Sequence, residues 1–154
     1  MEMFRRYPIG GLAMAKARRH GLHEAMTALE TAVAGPSSWD GWLARVRFCL
    51  TEARQAVDDH IEAAEGPHGL FAEIMESTPR LGSEVEILRQ EHRQLVNAVT
   101  RAQELSREVE VGTGPNPLRL RRAVTGLLGR LTLHRQHGSD LVFEAYNVDI
   151  GSAD

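Results

Sequence analysis

Apolar residues return every three or four positions along most of the chain, and breakers divide this pattern into four stretches, each predicting an amphipathic α-helix. From about Ala15 to Ala34, Leu22, Met26, Leu29 and Val33 form one stripe, which Gly35-Pro36 ends. Ser37, Ser38 or Asp40 can cap a second segment, where Val46, Leu50, Ala53, Val57, Ile61 and Ala64 keep helical step as far as Gly66-Pro67. Pro67 lacks a backbone donor and collides with the preceding turn, so Leu70 to Met75 is either a kinked extension or a separate short helix. After Thr78-Pro79, Ser83 with Glu86 fits a capping box, and Val85, Leu88, Leu95, Val99, Ala102 and Leu105 mark the third segment. The run Gly112-Thr113-Gly114-Pro115-Asn116-Pro117 is the longest breaker, and Leu120, Val124, Leu127, Leu131, Leu141 and Ala145 define the fourth segment beyond it.

No stretch alternates with period two for long enough to argue a sheet. Four amphipathic helices joined by short connections predict an all-α fold, an antiparallel four-helix bundle over residues 16–150, with a leader over 1–15 and a tail over 151–154. Trp39 and Trp42 are spaced to staple the start of the second segment into the core.

Composition narrows the function classes. A chain of 154 residues, 42% apolar, has room for one core of ordinary size and not for two. Eighteen Lys and Arg against 21 Asp and Glu give a net charge of -3, which sets up no field for nucleic acid or an anionic membrane. The longest apolar run, Pro8 to Ala15, falls well short of the roughly 18 residues of a membrane span. Arg5-Arg6 ahead of that run gives the outline of a signal peptide, but Pro8 and two glycines break it and Lys16, Arg18 and Arg19 follow, so a cytoplasmic leader is the expectation. The single Cys49 excludes an intramolecular disulfide or a cysteine-cluster metal site. No phosphate-cradling glycine loop, nucleophile elbow or sustained heptad run is present.

The polar residues that fall on apolar stripes are mostly histidines. At about 100° per residue, His60 shares a stripe with Ala53, Val57 and Ala64, His92 with Leu88, Leu95 and Val99, and His134 with Leu127, Leu131 and Leu141. His23 stands about a quarter-turn from the stripe of its segment, at its boundary. A lone core histidine is ordinarily a hydrogen-bonded packing residue. Burying several imidazoles without partners costs on the order of 1–3 kcal/mol each, so three at one level point to a shared ligand or network, and a metal is the economical explanation. Imidazole suits iron, copper, zinc and nickel, and the nearby carboxylates Glu65, Glu91, Asp140 and Glu144 would shift the preference toward iron or manganese. His20 and His68 lie off the stripes, and Arg119, Arg121, Arg122 and Arg130 read as a solvated charged face. Tyr146, next to Ala145, is a phenolate ligand, a hydrogen-bond donor to bound oxygen or a packed tyrosine, and packing is the expectation.

The order of His23, the stretch His60-Ile61-Glu62-Ala63-Ala64-Glu65, Glu91-His92 and His134 resembles the hemerythrin or HHE cation-binding family, over nearly the whole chain from Leu22 to Tyr146. The resemblance implies a four-helix bundle in which histidines and carboxylates hold two non-haem irons that bind dioxygen, nitric oxide or peroxide. The chain departs from that pattern at three places. The bridging glutamate four residues after the histidine is replaced by Ala64, and Glu65, the next residue, points about 140° away from His60 on a regular helix unless a π-bulge returns it. The second histidine of the third helix is missing, with Leu88 and Val96 flanking His92. The carboxylate of the fourth helix is displaced to Asp140, six residues beyond His134.

The candidate ligands are therefore His23, His60, Glu65, His92, His134 and Asp140, enough for a mononuclear or altered dinuclear iron site. The expected function is binding or sensing of a small diatomic or peroxide at that iron, in a cytoplasmic protein with no nucleic-acid or membrane partner and with a homodimer left open. Two rivals stand beside it: a degenerate, metal-free bundle acting as an interaction module, and an oxidase whose lost ligands make room for an organic substrate.

Overall fold

The structure, a computed structural model, describes residues 10–111 and 116–147. It is all-helical, with no strand among the described residues. Four long helices, α1 (Gly11–Ala34), α2 (Trp42–Glu65), α4 (Gly82–Val111) and α5 (Pro117–Tyr146), are joined by the short α3 (Leu70–Ser77) and a 3-10 turn at Pro79–Leu81. No described helix is long and apolar enough to cross a membrane. Residues 1–9 of the expected leader and the expected tail 151–154 lie outside the described residues.

Helix α1 begins at Gly11, earlier than the apolar stripe predicted. Its first amides have no local side-chain cap; Glu73 of α3 serves instead, accepting from the Gly11 N–H at 2.6 Å and the Leu12 N–H at 3.2 Å. A carboxylate at this end satisfies orphan donors and complements the helix dipole, and it comes from 62 residues away, where a local reading cannot find it. The same carboxylate accepts from the Tyr146 hydroxyl at 3.0 Å, so α3 ties both chain ends of the described bundle together. Burial and the Glu73 bond push the Tyr146 phenol up to about 12, a neutral packed tyrosine.

Gly66-Pro67 ends α2 outright, and the phase restarts in a separate α3. Gly69 lets the loop fold back on the end of α2: a Cβ there would sit 2.7 Å from the Ala63 carbonyl oxygen and 2.8 Å from that of Ala64. Trp42 is buried as expected, but Trp39 is 58% exposed and does not enter the core, since the turn before α2 turns it outward over Gly41.

Helix α1 packs mainly on α2, α4 mainly on α5, and α2 also on α4. The apolar stripes meet in two separate clusters. The larger holds Leu22, Met26, Leu29, Val46, Leu50, Val57, Leu95, Val99, Leu127 and Leu131. The smaller holds Ala64, Phe71, Ile74, Leu81, Leu88 and Leu141 with its neighbours. Each buried leucine contributes roughly 1.5–3 kcal/mol of transfer free energy, so the clusters hold the helices in register around whatever lies between them. Between them, on α2, α4 and α5, lie His60, His92 and His134.

Candidate metal centre

The three histidines interrupt the core because each occupies a core position of its helix: His60 follows Val57 and precedes Ala64, His92 lies between Leu88 and Leu95, and His134 follows Leu131. His92 and His134 are buried, at 2% and 3% exposure, and His60 is intermediate. One nitrogen of each lies within 4.8 Å of the others, and the ring centroids stand 4.7 to 5.3 Å apart. His60 Nε2 and His134 Nε2 approach to 3.1 Å. Phe71 of α3 stacks on His92, 5.7 Å between centroids and 10° from parallel, which closes the layer on one side.

Two of the rings are fixed from behind by carboxylates. His92 Nδ1 donates to Glu65 Oε2 at 2.6 Å, and Glu65 also accepts from Arg89 at 3.2 Å. His134 Nδ1 donates to Glu91 Oε1 at 2.7 Å, and the other oxygen of Glu91 accepts from His137 Nδ1 at 2.6 Å. A carboxylate that takes the Nδ1 proton leaves Nε2 as a bare lone pair and raises its basicity, the arrangement found behind metal-bound histidines. The bare Nε2 of His134 faces His60 Nε2, and that of His92 is buried.

Proton bookkeeping exposes what the layer lacks. With the Nδ1 protons of His92 and His134 committed to Glu65 and Glu91, His60 Nε2 must donate to His134 Nε2, because two lone pairs would repel at 3.1 Å. His60 Nδ1 is then an acceptor, and it is buried without a partner; so is His92 Nε2. Extra protons do not solve this. Burial first, and then the neighbouring His134, push His60 and His92 down to about 3. Burial also lowers His134, against the opposing effect of the hydrogen bond it donates to Glu91. All three are neutral near pH 7, the form that ligates a metal. One cation at the centre would occupy the three Nε2 lone pairs at once and leave only His60 Nδ1 unpaired. Two nitrogens bound at about 2.1 Å stand about 3.0–3.4 Å apart across a cis or tetrahedral angle, and the His60–His134 separation falls in that interval.

Of the six expected ligands, three come together and three do not. His23 is exposed on the outer side of α1, where its backbone carbonyl accepts from Thr27, because the quarter-turn offset from the stripe is enough to put it in solvent. Asp140 is exposed on α5, bonded to Gln136 at 2.9 Å, since six residues beyond His134 is the outward face. Glu65 needs no π-bulge: α2 is regular to its end, and the 140° offset aims the carboxylate at α4, behind His92. Glu91, adjacent to His92 in sequence, reaches in the opposite direction and supports His134 on α5. The residue that the stripes missed is Arg19. It continues the spacing Leu12, Ala15, Leu22, Met26 down α1 and arrives at the level of the histidines, half-buried, with its charge acting on His60.

A cavity of about 70 Å³ lies against His134 and Glu91, bounded by Gln94, Leu95, Arg130 and Leu133. That holds a water or a diatomic, against the several hundred Å³ of pockets that enclose organic substrates. The chain matches no family model, no curated protein and no solved structure.

Proposed function

We propose that this protein is a hemerythrin-like antiparallel bundle that holds a single non-haem metal ion through His60, His92 and His134 and presents an open coordination position to a small oxidant or diatomic. The observation that carries the reading is the convergence of three neutral imidazoles, two of them locked by Glu65 and Glu91 with their free nitrogens toward one point. Three donors suit one ion with positions left for water or ligand. Two irons would need carboxylates as bridging ligands, and Glu65 and Glu91 are engaged at the Nδ1 atoms, so the centre is mononuclear. Iron is the ion favoured by the likeness in residue order to the hemerythrin family; the all-nitrogen donor set also suits zinc. The recess beside His134 is of a size for a small ligand.

The test is metal content by mass spectrometry together with optical spectra, anaerobic and aerobic, after ferrous reconstitution. Near-stoichiometric iron with oxygen-dependent bands, lost in His60→Ala, supports the reading. Protein that takes up neither iron nor zinc rejects it and leaves the layer as a metal-free hydrogen-bond network. That second reading rests on the His60–His134 contact, which one shared proton can satisfy. It expects replacement of all three histidines by leucine to preserve or raise stability.

A further inference from the structure

Helix α1 sends no histidine to the centre. At the histidine level its core position is taken by Arg19, on the stripe that runs through Leu12, Ala15, Leu22, Met26, Leu29 and Val33. Arginine at such a position is costly unless its N–H groups are satisfied, because a desolvated cation loses its hydration and gains nothing in return. Here Nε and Nη1 are shielded from solvent and have no hydrogen-bond partner among the described residues. Among the described residues no carboxylate pairs with Arg19, and the two at the histidine layer are engaged elsewhere: Glu65 is shared between His92 and Arg89, and Glu91 between His134 and His137. Arg135, on α5 beside His134, adds a second guanidinium whose charge also acts on His60. With a dication bound at the three histidines, the side of the site toward α1 would be markedly positive.

We infer that the ligand completing the centre is a small oxyanion of the carboxylate type, bound to the metal and hydrogen-bonded by Arg19 of α1. The inference rests on the metal centre proposed above and fills its side toward α1, a position other than the one left for a small oxidant or diatomic beside His134. A neutral diatomic offers a guanidinium only weak acceptors, whereas an oxyanion gives charge-assisted bonds to the orphaned N–H groups and offsets the excess positive charge. The anchor is an arginine, which keeps its charge when partly desolvated. Arg19 thus sets specificity for charge without being a metal ligand itself.

The experiment uses the full chain loaded with cobalt(II), whose visible bands report changes in coordination, titrated with formate and, as a neutral analogue of the same shape, formamide. Metal content is measured separately on each variant. Formate is expected to shift the cobalt bands of the unaltered protein, and formamide is not. In Arg19→Met, which fills the core position with an apolar side chain of similar length, formate affinity is expected to fall roughly 10- to 100-fold with cobalt stoichiometry unchanged, the loss of a charge-assisted bond. Arg19→Lys is expected to recover most of that affinity. Equal formate affinity in the unaltered protein and Arg19→Met overturns the inference and leaves the metal centre standing. So does tighter binding of formamide than formate. Loss of cobalt in both Arg19 variants overturns it as well, by making Arg19 a support of the fold. Failure of the unaltered chain to bind cobalt removes the metal centre itself and the inference with it.

Discussion

His92→Leu separates a metal centre from a buried polar network, because the two readings assign opposite consequences to the same atom. His92 is 2% exposed, its Nε2 has no partner, and its Nδ1 donates to Glu65. In the metal-free protein, leucine removes an orphaned acceptor that costs about 1–3 kcal/mol and forfeits a hydrogen bond to a charged group worth about 1.5–3 kcal/mol. Glu65 is not stranded, since its side chain is 26% exposed and still pairs with Arg89. The terms nearly cancel, so the metal-free variant is expected within about 2 kcal/mol of the unaltered protein. The metal-bound states differ far more. An ion that binds only the folded chain at a hundredfold excess over its Kd stabilises it by about 2.7 kcal/mol. For a chain of 154 residues, at about 2–4 °C per kcal/mol, this raises Tm by about 5–11 °C. With one of three ligands gone, His92→Leu should show almost none of that shift at the same metal concentration. Thermal melts followed by circular dichroism, with ferrous iron or zinc and with chelator, measure all four values. A metal-dependent rise in His92→Leu equal to that of the unaltered protein would refute the assignment of His92 as a ligand, and no rise in either would refute the centre.

Three further outcomes follow from the same geometry. His60 and His92 are held near 3 in the folded state against 6.5 when free, so below pH 6.5 the unfolded chain binds more protons, and the stability that neutral histidines contribute above 6.5 is lost as pH falls toward 3. The urea midpoint of the metal-free protein should therefore drop steadily from pH 7.5 to 5, at up to about 1.4 kcal/mol per pH unit for each histidine, and a flat profile would contradict the buried neutral state. Glu91→Gln keeps the shape behind His134 but not the charge, and should weaken metal binding roughly 10- to 100-fold in a competition titration without loss of helicity. His23→Ala and Asp140→Asn, both on exposed positions, should leave metal stoichiometry and Tm unchanged within about 0.5 kcal/mol; a loss of metal in either would restore it as a ligand.

Helical periodicity located the part of the site that depends on one helix at a time. The stripes put His60, His92 and His134 inward, and they are the three that meet. What periodicity could not see was reach across helices. Against its own helix Glu65 is a ligand out of phase with His60; from α4 the same angle is right for supporting His92. Glu91 lies next to His92 in sequence and serves a different histidine, a division that follows from the 100° turn between neighbours once the position of α5 is known. The start of α1 was missed for a similar reason, its cap being supplied by Glu73 of α3.

Arg19 was hidden by a different assumption, that a core stripe is read from apolar residues alone. Its spacing from Ala15 and Leu22 was visible throughout, four residues from one and three from the other. A charged residue in step with such a stripe carries more information than the leucines on either side. Leucine is explained by burial, whereas a cation at that position has to be answered by an opposite charge. Within the bundle the candidate carboxylates already serve histidines and Arg89. The histidine layer and Arg19 thus state the same deficit from two sides: lone pairs that lack a cation, and a guanidinium that lacks an anion among the described residues. A metal ion alone would relieve the first and worsen the second, and only a metal together with an oxyanion relieves both. This makes the response of the Arg19 variants to formate the most discriminating consequence of the layer.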